Sequence, residues 1–366
     1  MLFTPEAHEA LVDEPWSADR ARTAIASIAA DAEGAFEDGW PTHPLDADNE
    51  DEARRRFRTM YLGGAGVVAA LDRLAQRGFV ELRADYVPYL ERSLDAPPDY
   101  PDYDPERSLW MGETGIRLVL QRLAPSQANL ERLSELIAAN EQDERRELML
   151  GSPGTILAGR ELGLDVTPSI EWLREERDAD GLWTQHLFGR IGRNLGPAHG
   201  YAGCALALGD GAGVSETLQR FAVEEDGLVN WPPTEGIRLD DNGDGQIRTQ
   251  WCHGAPGMVA TLAQFIEEEL AVAGGELTWR AGPLRKGANL CHGTAGNGYA
   301  FLALLERTGD ERWLTRARAF AMHAAGQVER SRSEHGRGRY SLWSGDLGTA
   351  VYLADCIDGR GEPPLP

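Results

Sequence analysis

Cysteine is scarce in this sequence, four residues in 366. So few over so long a chain build no disulfide framework, and they point to a reducing compartment, the cytoplasm. Basic charge is short as well: 36 Lys and Arg stand against 59 Asp and Glu, a formal net charge of −23. An excess of that sign repels nucleic acid and anionic membrane, so neither is expected as a partner. No apolar run approaches the roughly 20 residues of a membrane span. The opening Met1-Leu2-Phe3-Thr4-Pro5-Glu6 lacks the basic start and apolar stretch of a secretory signal. What is left, 42% hydrophobic and 26% charged, is the composition of a globular protein with a large core. We expect one domain over 1–366, with 1–50 as an N-terminal outer-helix region, and a monomer.

Against that scarcity, two of the four cysteines open near copies of one segment. These are Trp251-Cys252-His253-Gly254-Ala255-Pro256-Gly257 and Leu290-Cys291-His292-Gly293-Thr294-Ala295-Gly296. A buried Cys is often a small hydrophobe and His-Gly is often a turn, but the same dipeptide twice in one repeat frame points to metal ligands. Two thiolates and an imidazole suit zinc, and three protein ligands leave a fourth position open. On the residues alone, His253 and His292 compete for the nitrogen position. Cys204 and Cys356 lie in apolar helical runs and read as core, while His8, His43, His186, His323 and His335 have no partner pattern.

The twin segments belong to a longer series. Gly-x-x-Gly starts at Gly63, Gly112, Gly151, Gly200, Gly254, Gly293 and Gly345, in steps of 49, 39, 49, 54, 39 and 52 residues. Each pair precedes a small and apolar run, such as Val67–Leu71 or Tyr299–Leu305, and several are followed by a second amphipathic segment, such as 131–140 or 312–325. A glycine costs a helix roughly 1 kcal/mol against alanine. Two at each of seven helix starts need a geometric reason, and glycines at i and i+3 let another backbone approach one face. The expected architecture is all-α: an α/α toroid of seven helical hairpins, small-faced helices inside and larger ones outside. An open solenoid of similar hairpins is the alternative. Closure gathers the inner N-termini at one mouth and brings Cys252 and Cys291 together from adjacent repeats. Upstream, Ser17 is placed to cap a helix through Ile28, and residues 50–60 are expected to be helical.

Seven such pairs combined with Trp-Cys-His-Gly, Cys-His-Gly and an earlier His-Gly resemble the lanthionine synthetase C (LanC) family, most closely its LanC-like branch. The similarity covers roughly residues 50–356. The resemblance implies an α/α barrel with one Zn²⁺ held by Cys252, Cys291 and His292, leaving His253 as a substrate contact. It implies addition of a thiol to dehydroalanine or dehydrobutyrine residues of peptides or proteins, with glutathione as the thiol in the LanC-like branch and a peptide cysteine in the lanthipeptide cyclases. His199, in Gly196-Pro197-Ala198-His199-Gly200, matches the family's active-site histidine, a general acid or base. Arg248, four residues before Cys252, matches a cyclase arginine able to steady an enolate oxygen. Glu147, four before Gly151, stands where cyclases carry Asp, its reach longer by one methylene. Lys286, five before Cys291, resembles a glutathione-site lysine.

Two other classes compete. An α/α-barrel glycosidase would use Glu113, Glu147 or Asp346 as paired carboxylates and the ten Trp as sugar platforms. A non-catalytic zinc- or glutathione-binding scaffold would need only the cysteines. The stretch Asp240-Asp241-Asn242-Gly243-Asp244-Gly245 begins like a calcium loop, but its twelfth position is Trp251, not Glu, so an EF-hand fails.

Overall fold

A computed structural model describes residues 2–47, 49–103, 106–236, 247–361 and 363–365; the calcium-like stretch 240–245 lies outside them. Fifteen α-helices make up the described architecture, with two short antiparallel hairpins. Seven helices begin at the Gly-x-x-Gly pairs: Gly64–Gln76, Glu113–Leu123, Ser152–Leu162, Tyr201–Leu208, Ala255–Leu262, Thr294–Thr308 and Asp346–Asp358. Each packs against the next, and the last packs against the first, so the inner ring is closed. The solenoid alternative falls on that contact.

Seven more helices alternate with these in sequence and stand outside them: Ala18–Gly34, Val87–Leu94, Gln127–Ala139, Thr167–Glu175, Val214–Phe221, Glu268–Ala281 and Glu311–His335. Glu268–Ala281 packs on the fifth and sixth inner helices, Glu311–His335 on the sixth and seventh, and Ala18–Gly34 on the seventh. The two rings divide by sequence pattern. Thr294–Thr308 is buried continuously from Thr294 to Leu304, whereas Gln127–Ala139 buries only Asn129, Leu133, Leu136 and Ile137, one stripe of a helix. Ser17 caps the first outer helix, its hydroxyl accepting from the Arg20 N–H at 3.2 Å. No helix among the described residues is long and apolar enough to cross a membrane.

The glycine pairs have one explanation throughout. The first glycine of each is the N-cap. A Cβ on the second, at Gly66, Gly115, Gly154, Gly203, Gly257, Gly296 or Gly348, would collide with the carbonyl oxygen six residues earlier. The backbone that approaches is therefore the helix's own entry loop, folded back over its first turn. These loops in turn clasp their neighbours around the mouth. The Tyr61 N–H donates to the Trp110 carbonyl (2.9 Å), Leu148 to Ala198 (3.2 Å), Cys252 to Cys291 (3.1 Å) and Cys291 to Trp343 (2.9 Å). Beneath them Trp110 meets Trp343 edge-on at 4.7 Å, Trp251 meets Trp343 at 4.5 Å, and all three are buried.

The fold-back yields a paired stability test. Gly296→Ala drives a methyl into the Leu290 carbonyl and the Trp251 side chain and should destabilise by about 1–3 kcal/mol, the scale of overpacking. Gly326→Ala, inside Glu311–His335, meets only an Arg330 guanidinium nitrogen at 3.5 Å. It should stabilise by up to about 1 kcal/mol through helix propensity. Thermal melts showing the two variants shifted equally would refute the entry-loop explanation.

One expectation of helix is shortened by the structure. Only Glu50–Arg54 is helical within 50–60. The buried Asp99 carboxylate accepts from the backbone N–H groups of Arg58 (2.8 Å) and Thr59 (2.9 Å), holding this stretch as the first repeat's entry loop. Cys204 and Cys356 are fully buried in inner helices, as core.

Candidate functional site

The mouth of the toroid opens on a cavity of ≈ 640 Å³ lined by Leu45, Tyr61, His199, Arg248, Gln250, Cys252, His253, Arg285, Lys286, Cys291, His292 and Arg339. Six of the eight residues singled out in the sequence as catalytic, substrate-binding or metal-binding lie in one local region of backbone, 248–253 and 286–292. His199 joins them from the fourth repeat. Glu147 is the one that does not line the cavity.

The two cysteines meet because their entry loops are clasped backbone to backbone. Both thiols are buried and free. They share a hydrogen bond that holds Cys291 well below its ordinary pKa, against the opposing effect of burial and with further help from His292 and Tyr61. The same bond, followed by burial, pushes Cys252 well above its ordinary value. The two sulfurs thus share one hydrogen bond, and its pull favours the charged form at Cys291 over Cys252. Two neutral donors also point at the sulfurs: the Tyr61 hydroxyl at 3.2 Å from Cys291 Sγ and the Gln250 amide at 2.9 Å from Cys252 Sγ. Neither Tyr61 nor Gln250 was singled out in the sequence. The signal for Tyr61 was its place two residues before Gly63, the position Cys252 and Cys291 hold in their own repeats.

As a zinc site the donor set fits by chemistry: two cysteine sulfurs in hydrogen-bond contact and an imidazole beside one of them. The convergence is incomplete, since no three His, Cys, Asp or Glu side chains among the described residues form a group set to hold an ion. The His292 backbone N–H is held by the Asn289 side chain at 3.0 Å, fixing the loop that carries Cys291 and His292. His253 lies on the cavity wall with its Nδ1 buried and unpartnered. Burial, reinforced by His199, Arg248 and Lys286, pushes its pKa down to about 3, so the ring is neutral.

His199 is oriented from behind. Its Nδ1 is 2.9 Å from Glu147 Oε2, which leaves Nε2 for the cavity. Glu147 is wholly buried, and its carboxylate also accepts the backbone N–H groups of Met149 (2.9 Å) and Leu150 (2.5 Å). Burial opposes charge on His199, but the Glu147 hydrogen bond and charge, with that of Cys291, outweigh it and raise its pKa. Glu147 thus stands behind His199 and does not line the cavity, its carboxylate shared between the imidazole and its own entry loop.

The same cavity also carries cations. Arg248, Arg285 and Lys286 line it, and among the described residues no hydrogen bond or ion pair engages their side chains. Arg339, also on the wall, is instead paired with Asp46. Lys286 is the single lysine of the whole chain; arginine fills every other basic position. The glycosidase reading finds no support in this geometry. Glu113 is ion-paired to Arg117 and Arg132, Asp346 is buried against the Arg339 backbone, and neither lines the cavity. Seven of the ten Trp are buried, so they cannot act as sugar platforms.

Comparison with known proteins places this geometry. The profile of lanthionine synthetase C-like proteins matches residues 58–362. The chain is 30% identical over 228 residues to glutathione S-transferase LANCL1 of Danio rerio, 56% of this chain and 49% of that protein. It is 36% identical over 139 residues to LanC-like protein GCL1 of Arabidopsis thaliana, 35% of this chain and 30% of that protein. The matches thus span half or less of the length of these curated relatives. Among solved structures, nisin cyclase superposes with a TM-score of 0.60 at 14% identity, over 85% of this chain and 92% of that one, a likeness of fold. The closed double ring with its twin Cys-His-Gly entry loops, together with a profile match over most of the sequence, shows that the chain belongs to the lanthionine synthetase C-like family.

Proposed function

We propose that the protein adds the thiol of glutathione to dehydroalanine or dehydrobutyrine residues of peptides or proteins, with a zinc ion held by Cys252, Cys291 and His292. One observation carries the reading. Three unengaged cations, two coupled thiols and a backed histidine share one cavity in a protein of net charge −23. Zinc, when bound, lowers the pKa of a coordinated thiol and keeps it deprotonated at neutral pH.

The rest of the chemistry belongs to the chain's own side chains. Glutathione carries two carboxylates and one ammonium, and Lys286, Arg285 and Arg248 are placed to receive the carboxylates that the protein's overall charge repels. As the thiolate sulfur bonds to the β-carbon, the C=C π electrons move onto the α-carbon and its carbonyl oxygen. Arg248 is the group to steady that oxygen, and His199 Nε2 delivers the proton the α-carbon takes up. No oxidant or reductant is required.

The test is a dehydroalanine peptide incubated with zinc-loaded protein and glutathione: a mass gain of one glutathione is expected. Conversion only of peptides carrying their own cysteine would favour the cyclase reading instead. No conversion of either would leave a binding scaffold. Lys286→Glu should keep zinc content while raising the glutathione KM by roughly tenfold or more, about 1.4 kcal/mol for one charge contact reversed. The penalty should shrink at high salt as the screening length falls from ~10 Å at 0.1 M to ~3 Å at 1 M. An unchanged KM at low salt would remove Lys286 from thiol recognition.

A further inference from the structure

The hairpin over 185–192 pairs Gln185–Leu187 with Arg190–Gly192, leaving Phe188 and Gly189 as a two-residue loop. Both have positive φ, 53° and 71°. That is the pattern of a type I′ turn, where Asn-Gly or Gly-Gly is preferred and a bulky aromatic at the first position is strained. Phe188 gains no burial in return, being 54% exposed at the turn tip. Strain held at an exposed aromatic points to a use outside the fold.

Its surroundings indicate the use. The Phe188 ring meets the His199 imidazole edge-on at 6.0 Å and Tyr103 at 5.1 Å. Tyr103 continues through Tyr100 to Phe57 in stacked contacts of 6.3 and 5.1 Å. Five large apolar side chains are exposed among the described residues: Val12, Leu45, Tyr103, Phe188 and Ile191. Leu45 lines the cavity, Ile191 lies on the same hairpin as Phe188, and Tyr103 touches it. Exposed apolar surface in this acidic protein is thus concentrated at the mouth. It lies beside the proton-delivering histidine, while the free cations come from the fifth and sixth repeats. Each reactant finds its own chemistry at the mouth: an anionic thiol suits the cations, and an apolar peptide suits the aromatics.

We infer that Phe188, at the tip of this hairpin and backed by Tyr103, docks an apolar side chain flanking the dehydroamino acid of the acceptor peptide and so selects that peptide. The inference rests on the proposed thiol addition, and Phe188 is a specificity-determining contact, remote from the bonds that form. Arrival of the peptide along the aromatic line presents its α-carbon to His199.

Phe188→Asn removes the ring and creates the Asn-Gly pair that type I′ turns prefer, so the variant should melt no lower than wild type. With glutathione, three acceptors are compared: a capped dehydroalanine amide, a dehydroalanine peptide with flanking Leu, and the same peptide with flanking Gly. Phe188→Asn should raise KM about tenfold for the Leu peptide, the scale of one aromatic contact in a site. It should leave KM unchanged for the small amide and for glutathione. An unchanged KM for the Leu peptide would overturn the inference. If wild type turns over none of the three, the thiol-addition reading fails by itself. The hairpin is then read by binding of the Leu peptide with alanine in place of dehydroalanine: weaker binding by Phe188→Asn supports the contact, and equal binding ends it.

Discussion

Replacing Cys291 with alanine is expected to abolish zinc binding and reduce thiol addition to background while leaving the toroid folded. The three proposed ligands come from two adjacent entry loops, and Cys252, His292 and Tyr61 all hydrogen-bond to Cys291. Removing an outer-shell partner of a zinc ligand already costs 10–100-fold in affinity; removing this thiolate should cost at least about that. Cys252→Ala should behave likewise, because it removes the second proposed sulfur ligand, the one hydrogen-bonded to Cys291. The fold should survive, since the loops are clasped by backbone hydrogen bonds and the ring buries a continuous core from Ala21 to Cys356. Metal analysis and circular dichroism check both halves: full zinc occupancy in either variant would sink the ligand assignment, and a random coil after chelation would show that metal carries the fold.

The second large effect concerns proton delivery. His199→Ala should retain zinc yet lose roughly 10²–10⁴-fold in rate, the usual contribution of a positioned acid–base group. Wild-type turnover in that variant would take His199 out of the mechanism. Glu147→Gln distinguishes positioning from mere structure through pH. With glutathione saturating, the form of His199 that donates a proton is the protonated one. Its raised pKa extends that form above the ordinary 6.5, so activity falls as pH rises through the elevated value. The glutamine keeps the hydrogen bond but removes the charge, so the alkaline limb should move to lower pH. A limb that stays in place would mean Glu147 serves only its own loop. His199→Ala should lack the limb altogether.

The repeat frame was legible in the sequence because seven glycine pairs were imposed by one recurring collision, and the cysteines were legible because they sat in that frame. Ring closure was inferable from the count of inner helices but rested on packing of the last against the first, which no local pattern states. Residues 55–60 were misread as helix since the reason they are not, the carboxylate of Asp99, lies some forty residues downstream. Tyr61 holds the repeat position of Cys252 and Cys291, a signal passed over, whereas Gln250 escaped notice because an amide aimed at sulfur has no signature of its own. Glu147 was matched in the sequence only to a cyclase Asp position, and the side-chain path alone shows that it stands behind the His199 ring and out of the cavity. The strain at Phe188 was invisible, since Phe-Gly does not announce a left-handed turn.

The clasped entry loops carry a last consequence. Seven equivalent seats lie two residues before the first glycine of each pair, occupied in order by Tyr61, Trp110, Met149, Ala198, Cys252, Cys291 and Trp343, and the clasps join the first loop to the second, the third to the fourth, and the fifth through the seventh. Two neighbouring seats carry cysteines, so the sulfur chemistry of the rim is eccentric to the pseudo-sevenfold axis. One repeated frame thus yields a site by broken symmetry, a single arc differing in chemistry from the rest.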